Sequence, residues 1–359
     1  MTLQRRLTHA AASIPVVGHA LSERLVGARH RADERVIALA DDGHPVALHR
    51  IRPEGETKGR PVILCHGIAC NRYFFDHHPE RSFARSLARE GRDVWILEMR
   101  GHGHSRRASR VETILRHQWQ FDDYVMGDLP AAIRTVQERT GADRVDWIGH
   151  SMGGMVMYAY LMTHPGEDVG TVVALGSPTF IDNRFWFWQV AAAIQPFTRF
   201  IPNYPVRFIA WAAAPFILAL HPFIPNPFYT SGNMRARDAA RLFQNVLDDV
   251  SNEEFRVGAT FIRRKGFRSP SLKLNYAASF DRVRRPLLVV AAAHDVLAPP
   301  RDVYAAYDRS ASADKRYVNL GRREGYSADY GHVDLVMGKR ALEEVLPIVT
   351  EWLQRHDPR

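Results

Sequence analysis

The sequence predicts an α/β domain, a mostly parallel, doubly wound sheet interrupted late in the chain by an apolar, mainly helical insertion. Three observations carry this. Short apolar runs without alternation, at residues 61–65, 93–97, 171–175 and 286–293, read as strands buried on both faces. Helix-period segments lie between them, two of them stopped by Gly91 and Gly141. From about 178 to 279 that rhythm gives way to Phe, Trp and Pro before strand and helix resume, as expected of a cap inserted into a sheet domain.

Taken in order, residues 1–34 form a basic, weakly amphipathic arm. Residues 35–39 and 46–50 read as a hairpin around Asp41-Asp42-Gly43, whose Asp-Gly is a turn signal. The strand at 61–65 leads into His66-Gly67-Ile68, and the helix at 81–91 sets Phe83, Leu87 and Ala88 on one face. The strand at 93–97 runs into Arg100-Gly-His-Gly-His-Ser105, and a helix over 121–140 follows. After the 171–175 strand and the insertion come a strand at 286–293, a helix at 301–307, a strand at 316–320 and a closing helix at 339–356. The expected division is therefore an arm (1–34), a core in two pieces (35–177 and 280–359) and a cap (178–279).

The sequence has 359 residues, and Lys and Arg exceed Asp and Glu, 48 to 39, for a net charge of +9. The basic clusters (Arg106-Arg107, Arg263-Arg264-Lys265, Arg284-Arg285) are short and lie in no nucleic-acid module, so no nucleic-acid partner is expected. Two cysteines, Cys65 and Cys70, exclude a disulfide framework, and residues 8–21 lack the firm apolar stretch of a signal peptide, which fits a cytoplasmic protein. The apolar run at 208–220 contains Pro215 and is shorter than the about twenty residues a membrane span needs. An apolar tunnel, or peripheral membrane contact through the cap, is the expected use of such a segment.

The chemistry centres on Gly149-His-Ser-Met-Gly153, between the strand ending at His150 and the apolar helix reaching His164. A Ser at such a turn takes a strained backbone angle, and glycines two residues to either side give it room. Ser151 is the expected nucleophile. A serine hydroxyl needs a base and a group to orient that base. Asp295, just past the 286–293 strand, and His332, on the loop ahead of the last helix, provide them in the order Ser, Asp, His. Asp182 and Asp334 compete for the acid; Asp334, so close to His332, reads rather as a surface charge, and Asp295 could instead only cap the helix after it. Two backbone N–H groups should hold the oxyanion, those of Met152 and of Ile68. Gly101-x-Gly103 lacks the third glycine of a dinucleotide fingerprint. Asp76-His77-His78 and His102/His104 show no third ligand at metal spacing, so neither metal nor organic cofactor is expected.

On His66-Gly67, Arg100-Gly-His-Gly-His-Ser105, Gly149-His-Ser-Met-Gly153, Asp295 and Tyr330-Gly-His332-Val-Asp334, the chain resembles the α/β-hydrolase superfamily over about 35–177 and 286–359. Within it, the pattern is similar to esterases and lipases of the acid and gastric lipase kind. That resemblance implies an α/β-hydrolase fold, with Ser151 as nucleophile, His332 as base and Asp295 as its orienter. It also implies a serine hydrolase acting on a lipophilic ester through an acyl-enzyme. Polyhydroxyalkanoate synthases look similar in parts of this layout but carry Cys at the elbow, where Ser stands here. An acyltransferase using the same nucleophile, or a non-catalytic lipid-binding protein on this scaffold, are the alternatives.

Overall fold

A computed structural model describes residues 29–106, 119–179, 203–221, 226–252, 254–256 and 275–358, with isolated positions at 189, 190, 193, 194, 197, 198, 201, 223 and 269. The arm up to residue 28, Asp182 and the 263–265 basic cluster lie outside the described residues.

The hairpin forms as β1 (Glu34–Leu39) and β2 (Pro45–Ile51), which takes Glu34 out of the arm and into the sheet. β3 (Val62–Cys65), α1 (Phe83–Arg89) and β4 (Val94–Glu98) follow. Ser82 starts α1 by accepting the Arg85 N–H at 3.0 Å. Next comes α2, whose stretches Phe121–Asp123, Tyr124–Asp128 and Leu129–Thr140 run on without a break. Its middle stretch is a π turn, which a 3.6-residue period does not foretell. Gly141, left-handed at φ 72°, stops it. β5 (Val145–His150), α3 (Met152–Thr163) and β6 (Val169–Leu175) complete the first half.

The described chain between β6 and the next sheet strand contains α4 (Val206–Leu220) and α5 (Ala236–Arg241), which continues through a π turn at Leu242–Val246. A two-residue antiparallel pair, Asn203–Tyr204 with Val250–Ser251, stands apart from the main sheet. β7 (Leu287–Ala292), α6 (Pro300–Arg309) and β8 (Lys315–Leu320) resume the alternation. The chain ends with a short α7 (Asp334–Met337) and α8, a π turn at Ala341–Val345 followed by Leu346–Arg355.

The eight strands lie in the order β1-β2-β4-β3-β5-β6-β7-β8, with β2 antiparallel to both its neighbours and β3 to β8 parallel. Strands β3 to β7 are buried along their whole length. Their side chains alternate between two cores: Ile63, Trp95, Trp147 and Val172 face one, and Val62, Ile96, Ile148 and Val173 the other. The apolar runs lack alternation because helices cover both faces. β4 lies on one side of β3 and β5 on the other, so the chain reverses its direction of travel across the sheet between them. At such a reversal the connections diverge beyond the strand C-termini and leave a crevice. The turn after β3 and the turn after β5 both open onto it.

Candidate active site

Ser151 sits between β5 and α3 at φ 53°, ψ −118°. Among the described residues, only it and Ala69 are non-glycine residues with positive φ. The surroundings enforce this strain. A Cβ on Gly149 would overlap the backbone of Gly153, and one on Gly153 would overlap the Cys65 carbonyl. Strand β5 and helix α3 thus meet in backbone contact. Trp147, fully buried, fixes the join by donating its indole N–H to the Gly153 carbonyl at 3.0 Å. The Ser151 side chain emerges between the two walls, and the residue keeps partial exposure.

His66-Gly67-Ile68 forms the facing wall. A Cβ on Gly67 would lie 3.1 Å from Cβ of Ser151 and 3.3 Å from Nδ1 of His150, so glycine lets the turn approach the elbow. His66 is fully buried, its Nδ1 lying 2.8 Å from the Gly67 carbonyl and its Nε2 accepting the Met99 N–H at 3.4 Å. Burial, helped by His102, brings its pKa down to about 4, so the ring is neutral. Met152 opens α3, and its N–H belongs to the first turn, whose donors have no partner within the helix.

His332 and Asp295, 37 residues apart in the chain, meet with Nδ1 of His332 2.6 Å from Oδ2 of Asp295. Both are buried. The other oxygen of Asp295 accepts the N–H groups of Leu297 and Ala298, each at 2.8 Å, so the carboxylate both anchors the chain after β7 and holds His332. Asp295 does not cap the helix that follows, since α6 begins after Pro299 without a side-chain cap and the N–H groups held by Asp295 belong to the loop ahead of it. With Nδ1 taken by Asp295, Nε2 is the ring nitrogen left for another partner. Among the described residues no hydrogen bond reaches Oγ of Ser151. The placement of His332 rests on its neighbours: its ring centroid is 4.5 Å from that of His150, the residue next to Ser151, and a Cβ on Gly176 would lie 3.3 Å from its Nδ1.

Two further residues belong to this arrangement, His150, to which the sequence assigns no role, and Asp334. His150 carries Nε2 3.0 Å from the backbone carbonyl of His332. Burial, with His332 nearby, holds its pKa well below the usual range, so the neutral ring donates that hydrogen bond. Asp334 corrects the expectation of a surface charge: it is fully buried. It accepts the N–H groups of Gly331 and Thr230, each at 3.0 Å, and the Thr230 hydroxyl, and burial raises its pKa to about 6. It therefore ties the His332 turn to the inserted segment, while Asp295 is the acid on His332. Position in the motifs was the available signal, His150 adjoining Ser151 at the end of an apolar strand and Asp334 two residues past His332.

The inserted segment flanks the site on both sides. Asp248 N–H donates to the Ala69 carbonyl at 2.8 Å beside the 66–68 turn, and Val333 N–H to the Phe228 carbonyl at 2.8 Å beside the histidine. His102 and His104 point apart, as expected of neighbours. His102 meets Glu254 at 2.7 Å, but His104 reaches Glu98, which also holds His49, so the third ligand-type residue not evident from sequence spacing is present.

A family model described as the alpha/beta hydrolase fold matches residues 60–206. An esterase structure from Exiguobacterium antarcticum superposes with a TM-score of 0.59 at 14% identity, covering 89% of this chain and all of that one. The chain has the α/β-hydrolase fold. In sequence it is similar to the lipase lipl-3 of Caenorhabditis elegans, 34% identical over 136 residues, which are 35% of this chain and 33% of the lipase. It is also similar to the poly(3-hydroxyalkanoate) polymerase subunit PhaC of Allochromatium vinosum, 24% identical over 314 residues, 84% of this chain and 83% of that one. The lipase likeness thus spans about a third of the lipase's length, whereas the polymerase likeness spans most of both chains. Within the α/β-hydrolase fold, the matched 60–206 segment holds the elbow and the 66–68 turn; Asp295 and His332 lie beyond it.

Proposed function

We propose that this α/β-hydrolase-fold chain is a serine hydrolase of carboxylic esters. The observation that carries the reading is the His332–Asp295 pair at 2.6 Å, its ring packed at a tilt against the residue that precedes a strained, glycine-flanked Ser151. Oγ of Ser151 attacks the ester carbonyl while Nε2 of His332 takes its proton. The N–H groups of Met152 and Ile68 stabilise the oxyanion. The ester C–O bond then breaks, the alcohol leaves with the proton from His332, and the acyl group stays on Ser151. Water repeats the sequence and releases the acid.

Hydrolysis of p-nitrophenyl esters tests this, with Ser151→Ala expected to lose at least about 10³-fold in kcat/KM. Retained turnover in that variant would refute the reading. Rates rising with acyl length would support lipophilic substrates.

Acyl transfer to an alcohol by the same Ser151 is the second reading, favoured by the likeness to a polymerase subunit over 84% of this chain against 35% for the lipase. Products formed with an added alcohol separate the two: an exchanged ester supports transfer and free acid alone supports hydrolysis. A purely lipid-binding role is the less economical reading, because it leaves the assembled Asp295–His332 pair unused.

The 178–279 segment is proposed as a cap that also rests on a lipid surface. No helix among the described residues is long and apolar enough to cross a membrane. α4 leaves Phe208, Ile209 and Phe216 more than 60% exposed, and Phe223 follows at 84%. Phe208→Asp with Phe216→Asp should cut binding to anionic vesicles several-fold. Unchanged binding would remove the lipid-surface role.

A further inference from the structure

Away from Ser151, three side chains from separate elements converge beside the loop after β4. His49 comes from β2, Glu98 ends β4, and His104 lies on the loop. Nε2 of His49 is 2.8 Å and Nδ1 of His104 3.1 Å from the same Glu98 oxygen, Oε2, and the three atoms all lie within 4.8 Å of one another. We propose that His49, Glu98 and His104 form a binding site for a divalent transition metal, zinc above all, with the remaining coordination position open to solvent.

Two imidazoles and a carboxylate are a zinc ligand set, and a tetrahedral ion with bonds near 2.0–2.1 Å would space such ligands by about 3.3 Å. The two distances to Oε2 fall within about half an ångström of that. His104 has the freedom to close the third, its side chain being 47% exposed while those of His49 and Glu98 are 4% and 1%. The exposed ring also provides the entry path.

The surroundings fit the ligand state of each group. Burial outweighs the Glu98 contacts and holds His49 below its usual pKa, so it is neutral, the form that binds metal. Burial alone would raise Glu98, but hydrogen bonds from His104 and His49 win and keep it ionised. The Arg72 backbone N–H donates to the other oxygen, Oε1, at 3.0 Å and the His104 backbone N–H to Oε2 at 2.8 Å, which orients the carboxylate with Oε2 toward the imidazoles. The Arg72 guanidinium is the nearby cation, and Asp76 offsets it at 3.3 Å. Gly103 completes the cradle, since a Cβ there would overlap the Glu98 carboxylate.

Binding replaces the two imidazole N–H···O contacts to Oε2 with metal–ligand bonds, and each neutral imidazole gives up the proton on its ligating nitrogen to solvent and takes one up on its other nitrogen. The ion would staple β2 and β4 to the 100–105 loop, whose His102 ring lies 5.3 Å from that of His66.

Chelator-treated full-length protein titrated with zinc chloride in a calorimeter tests this, alongside cobalt(II) visible spectra and thermal unfolding. About one equivalent should bind and raise Tm, and cobalt should give ligand-field bands of nitrogen and oxygen coordination. His104→Ala, at a half-exposed position, should weaken binding at least tenfold and abolish the bands, while His164→Ala, an imidazole outside the set, should not. No uptake by the wild type, or uptake unchanged in a folded His104→Ala or His104→Gln protein, overturns the proposal and leaves a hydrogen-bonded polar cluster only.

Discussion

At the scale of single residues, the site depends on how buried polar groups are shared. Asp295 uses one oxygen for two backbone N–H groups and the other for His332, so main chain and ring together fix its orientation. Asp334 does for the histidine turn what Asp295 does for the ring. Asp334→Ala would leave the Gly331 and Thr230 donors unpaired, at a cost of about 1–3 kcal/mol in stability. If it positions His332, kcat should fall about tenfold or more with KM changed less, and Asp334→Asn should lose less than the alanine. Equal loss of stability with kcat intact would make it a purely structural group. Nothing in a linear sequence separates this buried carboxylate from a surface one, because its partners at Thr230 come from another part of the chain.

At the scale of elements, the elbow is a backbone contact between β5 and α3 with no room for a methyl group. Gly153→Ala would push Cβ into the Cys65 carbonyl at the end of β3, and neither β3, buried throughout, nor α3, buried along all but its last residue, can yield. The expected cost is about 3 kcal/mol or more, read as a lower denaturant midpoint or as failure to accumulate folded protein. A variant of wild-type stability would show that the helix can shift. This element was the most legible in the sequence, because the need for glycine at two fixed spacings leaves a mark in the chain itself. The strands were legible for a similar reason: burial on both faces removes polar residues from every position. The π turns at Tyr124–Asp128 and Leu242–Val246 left no such mark, since one extra residue in a helical turn hardly alters its apolar period. The cluster of His49, Glu98 and His104 was equally hidden, as its members meet only through the antiparallel pairing of β2 with β4 and the fold-back of the next loop.

At the scale of the whole molecule, the reversal of strand order between β3 and β5 explains why the two turns that line the crevice come from strands separated by about eighty residues. It also explains why the site needs the second half of the sheet, which delivers Asp295 after β7 and His332 after β8. Several buried histidines make the fold sensitive to acid. Burial brings His77 down to about 4, with Asp238 opposing and Arg241 reinforcing the shift. The unfolded chain takes up that proton near 6.5 and the folded one only near 4, so the folded state loses up to roughly 3 kcal/mol as pH falls through that window. His77→Gln should remove this share, so the stability difference between variant and wild type should move in the variant's favour from pH 6.5 to pH 4. Parallel stability curves would contradict it. The most direct measurement on the central claim is peptide mapping of the protein after reaction with a fluorophosphonate. One adduct is expected, on Ser151, formed rapidly in the wild type and slowed by orders of magnitude in His332→Ala. An adduct on another residue, or labelling of Ser151 indifferent to His332, would contradict it.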